Sequence, residues 1–373
     1  MAAGTLAISS IYFVSAASSR HFQEQQRIAQ TQMATRMAME QLRRDVSRAG
    51  FLGTPNAVLE NSCIAPAAPV RAVEFIDNQD PGAIPNAVDH LAQADRLRLT
   101  GNFATSDEYL AGGVSADGRT VFLQTRWQSF RRSFGEPFDP QAFLNVFQPN
   151  RMLRIVNRQN LHFFVRITGA SAANRSVTFT PSIPVGGLCV GGIAAGARVA
   201  PLMRLEYLVM DLSATPAGAR FATLDPNQDF VGTTPHHLVR REIQFGAGAA
   251  SVPIPGSERV VLEYVVDANF DFWLDQQLLV GGPPDLQFFQ GAPAQNQIDA
   301  TPHRVRSVVA TIAARTPDQS PRFEWPGPRP NREAPLTHFT LRQPPAVGSP
   351  SSRVRSLQSE IAIPNLMTRM IRP

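Results

Sequence analysis

MAAGTLAISSIYFVSAASS (residues 1–19), followed by RHFQEQQRIAQTQMATRMAMEQLRRDVSRA (residues 20–49), is the stretch whose reading decides the fold. The first part carries no charge, and the second is polar but free of Pro and Gly up to Gly50. Together they predict one unbroken helix, apolar at its start and amphipathic at its end. Nineteen residues at a helical rise of 1.5 Å reach about 29 Å, roughly one bilayer core. A cleaved secretory signal and a buried core helix are the alternatives. The first needs a basic segment ahead of the apolar run, and none is present. The second draws on the Ala, Ser and Gly that dilute the hydrophobicity. The same small residues (Ala2, Ala3, Gly4, Ala7, Ser9, Ser10) let helices pack closely in a membrane or bundle.

Farther along the same helix, Ala34, Ala38, Leu42, Val46 and Ala49 recur at spacings of four, four, four and three, with Met39 beside them. Such a stripe fits a helix lying across a sheet. Arg36, Arg43, Arg44, Asp45 and Arg48 fall mostly off it, and Glu40 can pair with Arg43 or Arg44 one turn on. Gly50 is the expected C-cap.

From Gly50 onward the chain reads as strands and loops. Expected strands are 95–100, 120–125, 152–157, 161–168, 176–180, 203–211, 238–245, 259–266, 305–313 and 353–363, rich in Val, Ile, Phe, Tyr and Leu between turn formers. Segments 54–94, 128–150 and 181–200 read as long connections decorating one face. Nine Pro in 317–350 predict an irregular loop there. The expectation is thus an α+β fold, a long N-terminal α-helix packed on an antiparallel β-sheet domain with long loops. The divisions are 1–49, membrane or filament helix and stalk, and 50–373, a β-rich globular domain.

Chemistry is sparse in the sequence. Asp225, Asn227 and Asp229 share the D-x-N-x-D spacing of calcium loops, as do Asp267, Asn269 and Asp271, but neither run has the Gly at position six or the Glu at position twelve. The first is a weak metal candidate. The second reads better as a strand with Val266, Ala268, Phe270 and Phe272 inward and the acids outward. There is no G-x-S-x-G, no H-E-x-x-H and no phosphate-cradling Gly loop. No enzyme activity, catalytic residue or cofactor is expected. All 35 basic residues are Arg, scattered along alternating strand positions, which makes nucleic acid an unlikely partner despite the net charge of +5.

The run SSRHFQEQQRIAQTQMATRMAMEQLRRDVSRAGFLG (18–53), above all MEQLRRDVSRAGFLG (39–53), resembles the N-terminal helix of PilW-type minor pilins of type IV pili. LVRREIQFG (238–246), SERVVLEYVVDANFDFWLD (257–275), HRVRSVVATIAARTP (303–317) and RVRSLQSEIAIPNL (353–366) resemble strands of that family's globular domain. The resemblance implies a pilin-like fold and a minor pilin that helps prime pilus assembly and sits at or near the tip. It also implies partners: other minor pilins, the major pilin and a large tip adhesin. The subunit would reside in the inner membrane with a periplasmic domain, then at the cell surface. Leu6, Ile8, Ile11, Phe13 and Val14 would pack in the membrane or filament, and Ala38, Leu42 and Val46 under the globular domain. Rival readings are a type II secretion pseudopilin and a membrane-anchored periplasmic binding protein outside any filament. The short basic leader, the Gly and the Phe-Thr-Leu-Ile-Glu-like opening of pilin precursors do not precede Met1, so an internal start and a longer precursor are expected, the alternative being a protein not processed as a pilin. In an exported domain, the two cysteines, Cys63 and Cys189, invite a disulfide worth about 4–5 kcal/mol in the chain-entropy model, two buried thiols being the alternative.

Overall fold

A single 14-residue strand, Arg198–Asp211, belongs to two structures at once and organises the chain. The computed structural model describes residues 2–62, 69–77, 94–183, 193–211, 236–245, 252–277, 283–327, 336–340 and 346–367. Helix α1 spans Ala2–Ser47. The strands are β1 (Val73–Ile76), β2 (Arg96–Gly101), β3 (Tyr109–Val114), β4 (Thr120–Leu123), β5 (Met152–Val156), β6 (His162–Ser171), β7 (Ser176–Thr180) and β8 (Arg198–Asp211). They continue with β9 (His236–Ile243), β10 (Arg259–Leu262), β11 (Val265–Asp275), β12 (Leu286–Phe289), β13 (Val305–Arg315), β14 (Ser320–Glu324), β15 (His338–Phe339) and β16 (Pro350–Ala362). Short helices α2 (Gln128–Phe134) and α3 (Pro140–Val146) lie before β5, α4 (Gly291–Ala300) before β13, and α5 (Pro364–Met367) after β16.

The first half of β8 pairs with β3 through Tyr109↔Val199 and with β5 through Ile155↔Val199. With β3–β4, β4–β7, β7–β6 and β6–β5 also paired, six antiparallel strands close into a ring. Closure leaves this set no open edge. Alternation sends Ala111, Val121, Leu153, Ile155, Val165, Ile167, Val177 and Val199 into one core. Phe130, Phe134, Phe143 and Phe147 of α2, α3 and the residue after join the same core. Phe134 stands 5.3 Å from Tyr109 and 5.2 Å from Phe143, an aromatic plug. Asp139 starts α3 by accepting from the Gln141 and Ala142 amides, ahead of Pro140 in the first turn.

The second half of β8 lies in an open antiparallel sheet, ordered β1-β2-β8-β9-β10. A second sheet runs β12-β11-β13-β16-β14, with β15 on β16. Phe75, Leu97, Leu99, Tyr207 and Leu238 of the first meet Phe270, Phe272, Val308, Ala310, Ile312 and Ile361 of the second in the largest core. The end of α1 completes that core with Ala38, Met39, Leu42, Val46 and Ala49.

Several expectations are corrected. The chain is not an α+β, pilin-like helix on a sheet: it is mostly β, 41% strand against 25% helical, in large antiparallel sheets. The physical reason is that strand-forming apolar residues run from 109 to 180 as well as from 265 to 361, and they fill separate cores that one sheet could not cover. Segment 128–150 is not surface decoration, since its aromatic side chains plug the barrel. Segment 54–94 supplies β1. The Pro-rich segment 317–350 contributes β14, β15 and the buried Trp325, Leu336 and Phe339. Within β11 the acids do not face solvent: Asp267, Asn269 and Asp271 are buried like their apolar neighbours, because β11 is covered on both faces.

Candidate interaction surface on the N-terminal helix

Helix α1 divides into three zones by what its side chains touch. Near its N-terminal end Ile11, Tyr12, Phe13 and Val14 are 67–77% exposed, so their apolar surface is not buried by the described residues. Leu6 and Ile8 lie on the same helix, in the stretch whose side chains are outside the described set. Phe22, Met33 and Met37 also face outward. From Thr35 the helix changes character, and Ala38, Leu42 and Val46 are at most 1% exposed against the sheets. Burying Leu42 and Val46 stabilises the contact by about 1.5–3 kcal/mol each.

The seat of this buried end is polar as well as apolar. Asp45, 6% exposed, accepts from the Tyr207 hydroxyl and from Arg240 Nε, both at 2.6 Å, and from Gln41 Nε2 at 3.4 Å. The helix is thereby pinned to β8 and β9. Burial, then the charge of Asp45, pushes the Tyr207 phenol well above its ordinary pKa, so it stays a donor. Burial weakens the Arg240 guanidinium as an acid-holding site, but the Asp45 carboxylate outweighs this and its pKa lies above the usual value.

The helix terminus is closed by side chains from far along the chain. Asn365 Nδ2 donates to the Ser47 and Ala49 carbonyls at 3.0 and 3.2 Å, filling acceptors that a helix end leaves open. Arg48 Nη2 donates to the Asn102 and Thr105 carbonyls at 2.7 and 2.6 Å. Gly50, at φ +74°, ends the helix and rests on β2, its amide donating to Thr100 O at 2.8 Å. Gly101 lies so close beneath that a Cβ there would stand 2.7 Å from the Arg48 carbonyl oxygen.

On the neighbouring open sheet, one rung runs Glu74↔Arg98↔Glu206↔Arg241 across β1, β2, β8 and β9. Arg98 Nε meets Glu206 at 2.9 Å and Arg241 Nη2 meets it at 2.6 Å, while Arg204 binds Glu74. Burial alone would raise the Glu206 carboxyl, yet Arg241, Arg98 and Arg96 together hold it below the usual carboxylate range. The ladder explains why Arg alternate along these strands: they pair across the sheet rather than form a basic patch.

A crevice of about 860 Å³ separates the middle of α1 from β14 and β16, lined among others by Phe13, Val14, Ala17, Arg322 and Ser351. Two ion pairs cross it, Glu24–Arg353 at 2.9 Å and Arg27–Asp318 at 2.7 Å. Asp225, Asn227 and Asp229, and the Cys63–Cys189 pairing, fall outside the described residues. Among the described residues no group of three or more His, Cys, Asp or Glu is placed to hold a metal, and no helix is long and apolar enough to cross a membrane. Comparison with protein-family models, with curated proteins and with solved structures finds no match.

Proposed function

We propose that this chain is a non-enzymatic assembly subunit that works through its N-terminal helix, and specifically a minor pilin that helps prime type IV pilus assembly and ends at or near the tip. The observation that carries the reading is the division of α1 itself. Ile11, Tyr12, Phe13 and Val14 lie open while Leu42 and Val46 are sealed in the body, so one helix presents an apolar arm on a rigid mount. Exposed aliphatic and aromatic residues in sequence are costly in water and are covered in a working assembly. Small residues beside them (Ala16, Ala17, Ser18) permit close helix–helix approach. The sequence resemblance over 18–53 supports neighbouring pilins as the covering surface, with the inner membrane as the site before assembly and the cell surface after it.

The test is a deletion strain complemented with the wild-type gene or with Phe13→Asp. The reading expects few surface pili in the deletion and in Phe13→Asp, with exported enzymes unchanged and the globular body folded. Normal piliation in the deletion would refute it. Loss of exported enzymes with pili intact would transfer the subunit to a secretion system.

A further inference from the structure

We infer that the exposed part of α1 is a pivoting arm held against the body by an electrostatic latch, and that the latch opens without unfolding the helix seat. The inference does not depend on the pilus reading. Its first support is the abrupt change of packing along one continuous helix. Between Ile11 and Met33 every described residue is exposed or half-exposed, whereas Thr35, Ala38, Met39 and Leu42 are buried. The second is the nature of what holds the arm. The ion pairs Glu24–Arg353 and Arg27–Asp318 span the crevice, and their side chains remain 36–50% exposed. Each exposed pair of this kind favours the closed position by roughly five-fold at most, and salt weakens it further.

The third support marks the pivot. Thr31 Oγ1 donates to the Arg27 carbonyl at 3.0 Å, and Thr35 Oγ1 donates to the Thr31 carbonyl at 2.8 Å. Hydroxyls bonded back to the carbonyl four residues earlier loosen and bend helices. Two in succession fall where the free arm meets the buried seat. Arg353 is also fixed from behind, its guanidinium 4.4 Å over the Phe323 ring, which itself stacks on His338 at 3.9 Å. Arg353, one of the two body-side partners, is thus backed by a stacked pair of rings, while Glu24 on the helix is not.

The experiment is distance measurement by electron paramagnetic resonance on the full chain. Spin labels attached through p-acetylphenylalanine at positions 18 and 322 span the crevice and leave the cysteines untouched. A second pair at positions 40 and 358 reports on the seat. Low salt is expected to give one short 18–322 distance. About 0.5 M NaCl, where screening acts within a few ångströms, or the substitution Arg27→Glu is expected to add a long, broad component. The paired change Arg27→Glu with Asp318→Lys is expected to restore the short distance, with the 40–358 distance constant throughout. An 18–322 distance indifferent to salt and to Arg27→Glu would overturn the latch. So would a lengthening that the paired change fails to reverse, or one accompanied by movement at 40–358.

Discussion

Replacing Asp45 with Ala tests the account of the helix seat most directly. The change removes the acceptor of two strong hydrogen bonds, leaving the Tyr207 hydroxyl in a fully buried position and the Arg240 guanidinium 18% exposed. Breaking a buried ion pair from one side costs about 3–5 kcal/mol, because the remaining charge is uncompensated. The residual exposure of Arg240 places the cost near the lower end, about 3 kcal/mol. Tyr207→Phe keeps the ion pair and removes one hydrogen bond, so it should cost about 1 kcal/mol. The double substitution Asp45→Ala with Arg240→Met removes both charges and should recover much of the loss. Hydrogen exchange of the amides from Leu42 to Ser47 provides the assay. At tenfold per 1.4 kcal/mol, those amides should exchange roughly a hundred-fold faster in Asp45→Ala, with the barrel strands unaffected. Urea unfolding gives the independent stability change. An Asp45→Ala variant within about 0.5 kcal/mol of wild type, the ordinary range for surface substitutions, would refute the pinning argument. A double variant no better than Asp45→Ala would refute it as well.

Other outcomes follow from the same geometry. Gly101→Ala places a methyl group against the Arg48 carbonyl at 2.7 Å, and should lower stability by about 1–3 kcal/mol, read as a fall in thermal midpoint. Phe134→Ala opens the aromatic plug of the barrel and should cost about 3–5 kcal/mol in chemical unfolding. The Glu206 carboxyl is depressed in the folded state, so its contribution is present above the unfolded carboxylate pKa and is lost as pH falls through the folded one. The stability difference between wild type and Glu206→Gln, measured by urea unfolding, should therefore be largest near neutrality and shrink only below about pH 4.

The sequence was legible where periodicity and burial coincide. Leu42 and Val46 announce a buried stripe, and the structure seals both at 0% exposure. Strand segments such as 176–180 and 152–157 lie where β-branched and aromatic residues cluster, and β7 and β5 occupy them. Asp45 was hidden because a carboxylate off an apolar stripe looks solvated, and its partners sit 162 and 195 residues away. Nothing local marks Tyr207 and Arg240 as sharing a sheet face with it. Their register in β8 and β9 does so only once Tyr207↔Arg240 pairing is known. The α2–α3 plug was concealed by a different effect, since each helix has only seven residues and no full amphipathic period. For β11, alternation suggested one wet face, whereas both faces are buried along most of the strand. The overall class failed because closure of β3 to β8 depends on long-range pairings that no window of sequence contains.

The shared strand has a consequence for how the chain can be cut. Gly101 at the end of β2 faces Met203 in β8, and the strands between them, β3 to β7 with the first half of β8, make up the closed ring. Ring and plug together are one contiguous cassette spliced into the bend of an otherwise ordinary hairpin. A short reverse turn joining β2 to the second half of β8 would excise that cassette and leave the order β1-β2-β8-β9 in register. What the trimmed chain would forfeit is the fastening between the parts, chiefly the Arg151–Glu242 pair and the Arg154 bond to Leu52 O. The Asp45 anchor on Tyr207 and Arg240 lies on the side that remains, whereas the Arg48 bonds to the Asn102 and Thr105 carbonyls would leave with the cassette.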